Sequence, residues 1–195
     1  MSQSVTSTAA RATSHLITYD DYLTFPDNDG IRKEIIEGEL YMTPAPSTRH
    51  QLILKKIFRL LDNYVLQNGL GEVLFAPCDV IFSSINVMQP DILFISNENL
   101  NILTEKNIQG APDLLVEILS SFSTDMDRIY KKMVYEKFGV KEYWIVDPVE
   151  RIIEIWTRKT KKFELHSKIK QHDSLQSPLL EGLKFKLSEI FRDDF

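Results

Sequence analysis

The stretch APDLLVEILSS, residues 111–121, constrains the fold of this chain more than any other feature. Apolar residues fill successive positions, which is typical of a β-strand buried on both faces. One carboxylate, Glu117, interrupts the apolar run. Burying an ionised carboxylate is costly unless a partner compensates its charge. The sequence therefore raises the question of what Glu117 contacts in the folded protein.

The segments around this strand indicate a fold that mixes helices with strands. A helix is predicted over 47–68 and another over 123–138, each ended by a glycine. Two hairpins are predicted, with turns at 37–38 and 159–160. Further strands are expected in EVLFAPCDVIFS, QPDILFIS and EYWIVDP. Because strands both precede and follow a helix, the expected class is α+β, or α/β with a mixed sheet.

No internal repeat or linker divides the chain, so residues 17–195 are expected to form one domain after a disordered leader, residues 1–16. The leader has no apolar centre, which argues against a secretory signal. No run approaches the roughly 18 apolar residues of a membrane helix. The single cysteine, Cys78, excludes a disulfide framework. We therefore expect a cytoplasmic protein with no membrane partner.

The net charge of −5 argues against sequence-independent coating of nucleic acid, which depends on phosphate neutralisation by Lys and Arg. Residues 151–170 are a local exception, with seven Lys or Arg against two Glu. This predicted hairpin either contacts DNA or forms a solvated face. The sequence contains no Walker loop, GxGxxG, HExxH, CxxC or GxSxG motif, so no nucleotide cofactor is expected.

A second carboxylate, Asp91 in QPDILFIS, also lies in an apolar strand. Taken alone, Asp91 or Glu117 could be a structural carboxylate that accepts from a backbone amide or an arginine. Two of them on neighbouring strands would form the kind of oxygen site that holds Mg²⁺ or Mn²⁺. Asp113 is excluded as the partner of Glu117, because four residues along a strand span about 13 Å, whereas an adjacent strand is about 4.8 Å away.

An ordered set of segments resembles the PD-(D/E)XK nuclease superfamily and, within it, the Uma-two (Uma2) family of putative restriction-endonuclease-like proteins. The segments are EIIEGELYM, QPDILFIS, APDLLVEILS, DRIYKKMVYEKFGVKEYWIVDP and RIIEIW, which together span residues 34–156. The resemblance implies a restriction-endonuclease-like α/β fold, with helices flanking a mixed central sheet. It also implies a Mg²⁺- or Mn²⁺-dependent endonuclease that hydrolyses DNA. Asp91 and Glu117 would be its catalytic metal ligands, helped by the Ile118 carbonyl.

The lysine of the superfamily pattern is displaced in this chain. The pattern places it two residues after the glutamate, where this sequence has Leu119. The resemblance suggests that the catalytic amine comes from the next helix, from Lys131, with Lys132 as the second choice. Asp127 and Tyr135 share the helix face of Lys131 at a spacing of four residues. From the residues alone, an exposed Asp127–Lys131 pair is the simpler interpretation.

Three further residues in the matching segments have less specific predictions. Glu34 could complete the metal site, or it could be an outward residue on a hairpin strand. His50, near the start of a helix, is expected to be a packed or capping residue. Asp147, which precedes a proline, is expected to be a turn residue at the end of a strand.

The expected function is cleavage of DNA by a homodimer, because a symmetric dimer presents two identical sites to opposite strands. The alternative is a non-catalytic binding or assembly module that retains the nuclease fold. These two functions differ in one structural feature, which is whether an amine reaches the Asp91–Glu117 pair.

Overall fold

The computed structural model describes residues 15–26, 31–120 and 124–191. Most of the expected leader, residues 1–14, lies outside this described part of the chain. The described residues form thirteen strands, which are β1 Arg32–Ile36, β2 Glu39–Thr43, β3 Gly71–Phe75, β4 Val80–Ser83, β5 Asn86–Met88, β6 Ile92–Ser96, β7 Ile108–Gln109, β8 Leu114–Ile118, β9 Glu142–Asp147, β10 Ile152–Lys159, β11 Lys162–Lys170, β12 Ser174–Gln176 and β13 Lys184–Lys186.

A six-stranded sheet in the order β11-β10-β9-β8-β6-β3 forms the centre of the fold. Strands β8 and β9 run parallel, and the other neighbouring pairs run antiparallel. The predicted α/β class with a mixed central sheet is therefore confirmed. A five-stranded sheet, β2-β1-β5-β4-β7, and the β12–β13 ribbon complete the strands.

The described helices are α1 Tyr19–Tyr22, α2 Thr48–Asn68 and α3 Lys132–Phe138, with 3-10 turns at Asn97–Ile102 and Leu187–Glu189. The prediction for α2 is confirmed: the Ser47 side chain caps it, and it ends at Gly69 in the left-handed conformation, with φ 61°. The prediction of one regular helix over 123–138 is wrong in part. The segment Met126–Lys131 is π-helical and leads directly into α3, and residue 123 lies outside the described residues.

Two apolar cores cover opposite faces of the central sheet. Ile57 of α2 packs on one face with Val116 of β8. Tyr135 of α3 packs on the other face with Leu93 of β6 and Leu115 of β8. Side chains alternate between the faces of a strand. The odd-numbered residues of β6 and β8 therefore point towards α3, and this parity decides where the candidate site lies.

The two predicted hairpins are confirmed. Strands β1 and β2 join at Glu37 and Gly38, which have φ angles of 50° and 80°. Positive φ at both central residues is the geometry that matches the twist of a two-residue hairpin. Strands β10 and β11 join through residues 160–161, one residue later than the predicted turn at 159–160, and Thr160 has a φ of 57°. Among the described residues, no helix is long and apolar enough to cross a membrane.

Candidate active site

Asp91 and Glu117 lie on neighbouring antiparallel strands and on the same face of the central sheet. Ile92 of β6 pairs with Val116 of β8. One further step in this register places Asp91, the residue just before β6, opposite Glu117. Both carboxylates are buried, with 2% exposure each. Their common face is the one that α3 covers, so the helical segment can reach them.

Protein donors hold the Asp91 carboxylate in place. Its Oδ2 accepts from the Ile118 backbone N–H at 2.8 Å and lies 3.0 Å from His50 Nε2. The other oxygen, Oδ1, lies 3.2 Å from Arg32 Nη1. Although burial opposes ionisation, these donors together hold the pKa of Asp91 below its usual value. An ionised carboxylate only accepts hydrogen bonds, so His50 Nε2 carries the shared hydrogen.

Glu117 meets three donors through its two oxygens. Its Oε1 accepts from Lys131 Nζ at 2.9 Å and from the Tyr135 hydroxyl at 2.7 Å. Its Oε2 lies 3.8 Å from Arg32 Nη2. Burial nevertheless raises the pKa of Glu117 to about 8, against the lowering effect of Lys131 and with a further rise from the Asp127 carboxylate. The negative charge of Glu117 is thus only partly compensated by the protein.

The amine of Lys131 lies among three buried carboxyl groups. Besides Glu117, its amine lies 3.0 Å from Glu34 Oε1 and 3.3 Å from Asp127 Oδ1. Lys131 and Asp127 are 2% and 1% exposed, so the simpler interpretation of an exposed pair is wrong. The outward position considered for Glu34 is also wrong, because Glu34 is 3% exposed and accepts from the Gln89 N–H at 2.8 Å.

A cavity of about 510 Å³ opens onto these groups. We call them the charged cluster: Arg32, Glu34, His50, Asp91, Glu117, Asp127 and Lys131, all of which line the cavity. Four carboxyl groups face two permanent cations in this cluster, so the formal charge is −2 when all four are ionised and the histidine is neutral. The pKa of Glu34 is held below its usual value by Arg32 and Lys131, against the effect of burial.

The donor set of the charged cluster fits a hard divalent cation. Carboxylate oxygens are the ligands that Mg²⁺ prefers, and the charge of −2 that the cluster has with all four carboxyl groups ionised equals the charge that such an ion would neutralise. In the described part of the chain, no group of three or more His, Cys, Asp or Glu is arranged as a metal cage. The fit is therefore to an open site, where two carboxylates bind and water completes the shell.

Other sequence-predicted residues lie elsewhere. The Lys132 amine lies 2.9 Å from the ring centroid of Trp156, away from the cavity lining. Asp113 pairs with Lys141 Nζ at 2.7 Å and does not line the cavity. Asp147 accepts from two backbone N–H groups of the turn that follows it, as predicted.

Sequence reasoning missed Arg32 and the contact of His50 with Asp91. A usable signal existed for Arg32, because Arg32, Glu34 and Ile36 alternate on one face of β1, and Ile36 belongs to the core. The expectation that His50 is a packed or capping residue does not include the contact of its ring with Asp91. His50 is buried, at 7% exposure, but its ring contacts a carboxylate. No local pattern predicts that pairing, since 41 residues separate the two.

Comparisons with known proteins identify the fold and the family of this chain. Over 90% of its length, the chain is similar to 97% of a solved chain described as a putative nuclease belonging to DUF820 from Anabaena variabilis ATCC 29413, with a TM-score of 0.74 and 20% identity. At this identity the likeness shows the fold alone. No curated protein matches the chain. The family model Uma2, described as putative restriction endonuclease, matches residues 19–188. This match covers most of the sequence, and the chain therefore belongs to the Uma2 family.

Proposed function

We propose that this protein is a Mg²⁺- or Mn²⁺-dependent endonuclease that hydrolyses phosphodiester bonds in DNA. One observation carries the proposal: a lysine amine, Lys131 Nζ, lies 2.9 Å from Glu117, which is opposite Asp91 on the neighbouring strand. An amine at this carboxylate pair is a feature that a catalytic site of this kind requires. Membership of the Uma2 family supports a nuclease-type function.

Each residue of the pair has a role that its contacts support. Asp91 and Glu117 would hold the metal ion. Glu34 and the backbone carbonyl oxygen of Ile118 are further candidate ligands. A bound divalent ion would polarise the phosphate and lower the pKa of the attacking water. Lys131 would orient that water or stabilise the negative charge of the transition state. The buried position of its amine fixes that charge in place before substrate arrives.

The proposal also covers how the protein contacts DNA and its oligomeric state. The β10–β11 hairpin carries most of the local excess of Lys and Arg in residues 151–170, and it would contact the DNA backbone. Cleavage of two strands would be carried out by a homodimer. We infer a cytoplasmic location, which agrees with the single cysteine.

The test is DNA cleavage by purified full-length protein, with supercoiled plasmid as substrate. We expect nicked or linear product with Mg²⁺ or Mn²⁺ and none with EDTA. Asp91→Asn and Glu117→Gln keep the shape of the side chains and remove a charge, so each should abolish cleavage. Asp113→Asn is the matched control, because Asp113 is equally buried but lies outside the site. Full activity of either site variant would rule out this site.

A non-catalytic module remains the second candidate, and one observation favours it. The carboxylates of the charged cluster already pair with Arg32 and Lys131, so the network could stabilise the fold without a metal. Calorimetric titration with Mg²⁺ and Mn²⁺ separates the candidates. A nuclease requires metal binding that Glu117→Gln removes, whereas a structural network predicts no binding by either protein.

A further inference from the structure

Arg32 is a cation in the charged cluster that the proposed chemistry leaves without a role. Its guanidinium lies 3.2 Å from Asp91 Oδ1, 3.4 Å from Glu34 Oε1 and 3.8 Å from Glu117 Oε2. The side chain is only 23% exposed. Its buried Nε has no hydrogen-bond partner among the described residues. Arg32 thus touches both proposed metal ligands through its two terminal nitrogens while one donor remains unsatisfied.

The two metal ligands each have one oxygen that the rest of the protein already uses. His50 and the Ile118 N–H contact Oδ2 of Asp91. Lys131 and Tyr135 contact Oε1 of Glu117. The other two oxygens are Asp91 Oδ1 and Glu117 Oε2, and among the described residues Arg32 is the donor that faces both. The guanidinium therefore contacts the oxygen of each carboxylate that is best placed to bind an ion.

An arginine in this position must move when an ion binds. Ligand oxygens approach Mg²⁺ to about 2.1 Å, which leaves no room for a guanidinium between the same two oxygens. Arginine cannot lose its charge in a protein, so it cannot relieve the repulsion by deprotonation. Arg32 also lines a second cavity of about 560 Å³, which gives its side chain space to move.

We propose that Arg32 occupies the metal position in the metal-free protein, gives way when the divalent ion binds, and then contacts the phosphate of the bound DNA. This inference rests on the proposed nuclease function and adds a positioning and substrate-binding residue to it. The planar fork of the guanidinium suits a phosphate, because two N–H groups can donate in parallel to two oxygens. One side chain would thus balance the charge of the two carboxylates before the ion binds and contact the substrate afterwards.

The test measures metal affinity and cleavage in the full-length protein with two variants of Arg32. Arg32→Gln removes the charge, and Arg32→Lys keeps it but loses the fork that bridges two carboxylates. Arg128→Gln is the matched control, because Arg128 is 29% exposed and also pairs with two carboxylates, Glu154 and Asp147, away from the cavity lining. Mn²⁺ alone is the probe, by calorimetric titration without DNA.

We expect Arg32→Gln to bind Mn²⁺ about tenfold or more tightly than the wild type, and Arg32→Lys severalfold more tightly. Cleavage at saturating Mn²⁺ should fall by about 10² in Arg32→Gln, the loss typical of one donor to a transition-state oxyanion. Arg128→Gln should change neither quantity. Tighter metal binding combined with slower cleavage cannot result from a general loss of structure, which would weaken both.

Other results overturn the inference and identify what failed. If the wild type binds no Mn²⁺, the inference and the proposed function both fail. If the wild type binds Mn²⁺ and cleaves DNA but Arg32→Gln binds no more tightly, only the inference fails. If Arg32→Gln binds Mn²⁺ more tightly but Arg32→Lys does not, the gain in affinity comes from the charge alone, and the proposed displacement of the guanidinium is overturned. Unchanged cleavage in Arg32→Gln overturns the phosphate contact. If Arg32→Gln does not fold, the affinity of Arg32→Lys decides.

Discussion

Lys131 Nζ lies 2.9 Å from Glu117 Oε1, although the two residues belong to different elements of the chain. In the PD-(D/E)XK pattern the lysine follows two residues after the glutamate, and here that position is Leu119, a buried apolar residue of the core. The helical segment after β8 brings the amine back to the same carboxylate. In this chain the amine that contacts Glu117 therefore comes from a neighbouring element, and the strand position two residues after Glu117 is apolar.

Replacing Lys131 tests whether the lysine from the helical segment serves as the amine of the site. Lys131→Met should destabilise the metal-free protein by about 3–5 kcal/mol, because it leaves buried carboxylates without their cation. Cleavage should fall by at least about 10². Urea denaturation and the plasmid assay measure the two effects. Lys132→Met is the control on the same helix and should cleave normally, since the Lys132 amine contacts Trp156 instead. Equal cleavage by Lys131→Met would contradict the assignment.

The parts of the fold with local signals are predictable from sequence. Gly69 and Gly139 end helices in the left-handed conformation, and the turn at Glu37 and Gly38 is set by positive φ. The rise of about 3.3 Å per residue along a strand also predicts that Asp113 is too far from the site. These features depend on residues within a few positions of one another, which is why sequence patterns report them.

The parts of the site that depend on long-range pairing are not predictable in this way. Strand β1 pairs with β5 at Ile35 and Val87. This pairing places Arg32 beside Asp91, which is 59 residues away in the sequence. The π-helical turn before α3 has no evident sequence signal either. Such π-turns are rare and frequently lie at functional sites. The sequence thus predicts the carboxylates but not most of the donors around them.

His50 provides a test of how the Asp91 carboxylate is held. His50→Ala leaves Asp91 Oδ2 with the Ile118 N–H as its remaining contact in the described structure. We expect Mn²⁺ affinity to fall by about 10–100-fold, as for other residues that orient a metal ligand. His50→Gln should recover part of the loss, because its amide can donate. Substitution of the exposed His166 is the control. Wild-type affinity in His50→Ala would show that orientation of Asp91 does not matter.

Association can be tested independently of catalysis. A homodimer is expected because two symmetric sites suit the two strands of DNA. Light scattering at micromolar concentration, with and without Mn²⁺, measures the mass of the particle directly. A mass near twice 22.6 kDa is the expected result. A monomer under both conditions, with linear plasmid still produced, would contradict the dimer but leave the active site intact.

The pH dependence of stability is the last prediction, and it concerns Glu117. Burial raises the pKa of Glu117 in the folded protein to about 8, from an ordinary value of 4.5. Between these values the folded state holds a proton that the unfolded state has lost, so the free energy of unfolding should decrease as pH rises through this window. Above pH 8 the contribution is gone, and below about pH 4.5 it is fully present.

Glu117→Gln cannot titrate and should lose this slope. Urea denaturation with EDTA at pH 5 and pH 8 measures the effect, as the difference between wild type and variant at each pH. We expect that difference to change by a few kcal/mol, since one pKa unit corresponds to about 1.4 kcal/mol. The lowered pKa values of Asp91 and Glu34 give slopes of the opposite sign at lower pH, and both proteins keep these groups. Parallel pH profiles for the two proteins would mean that Glu117 is ionised throughout, with its charge fully compensated by Lys131 and Arg32.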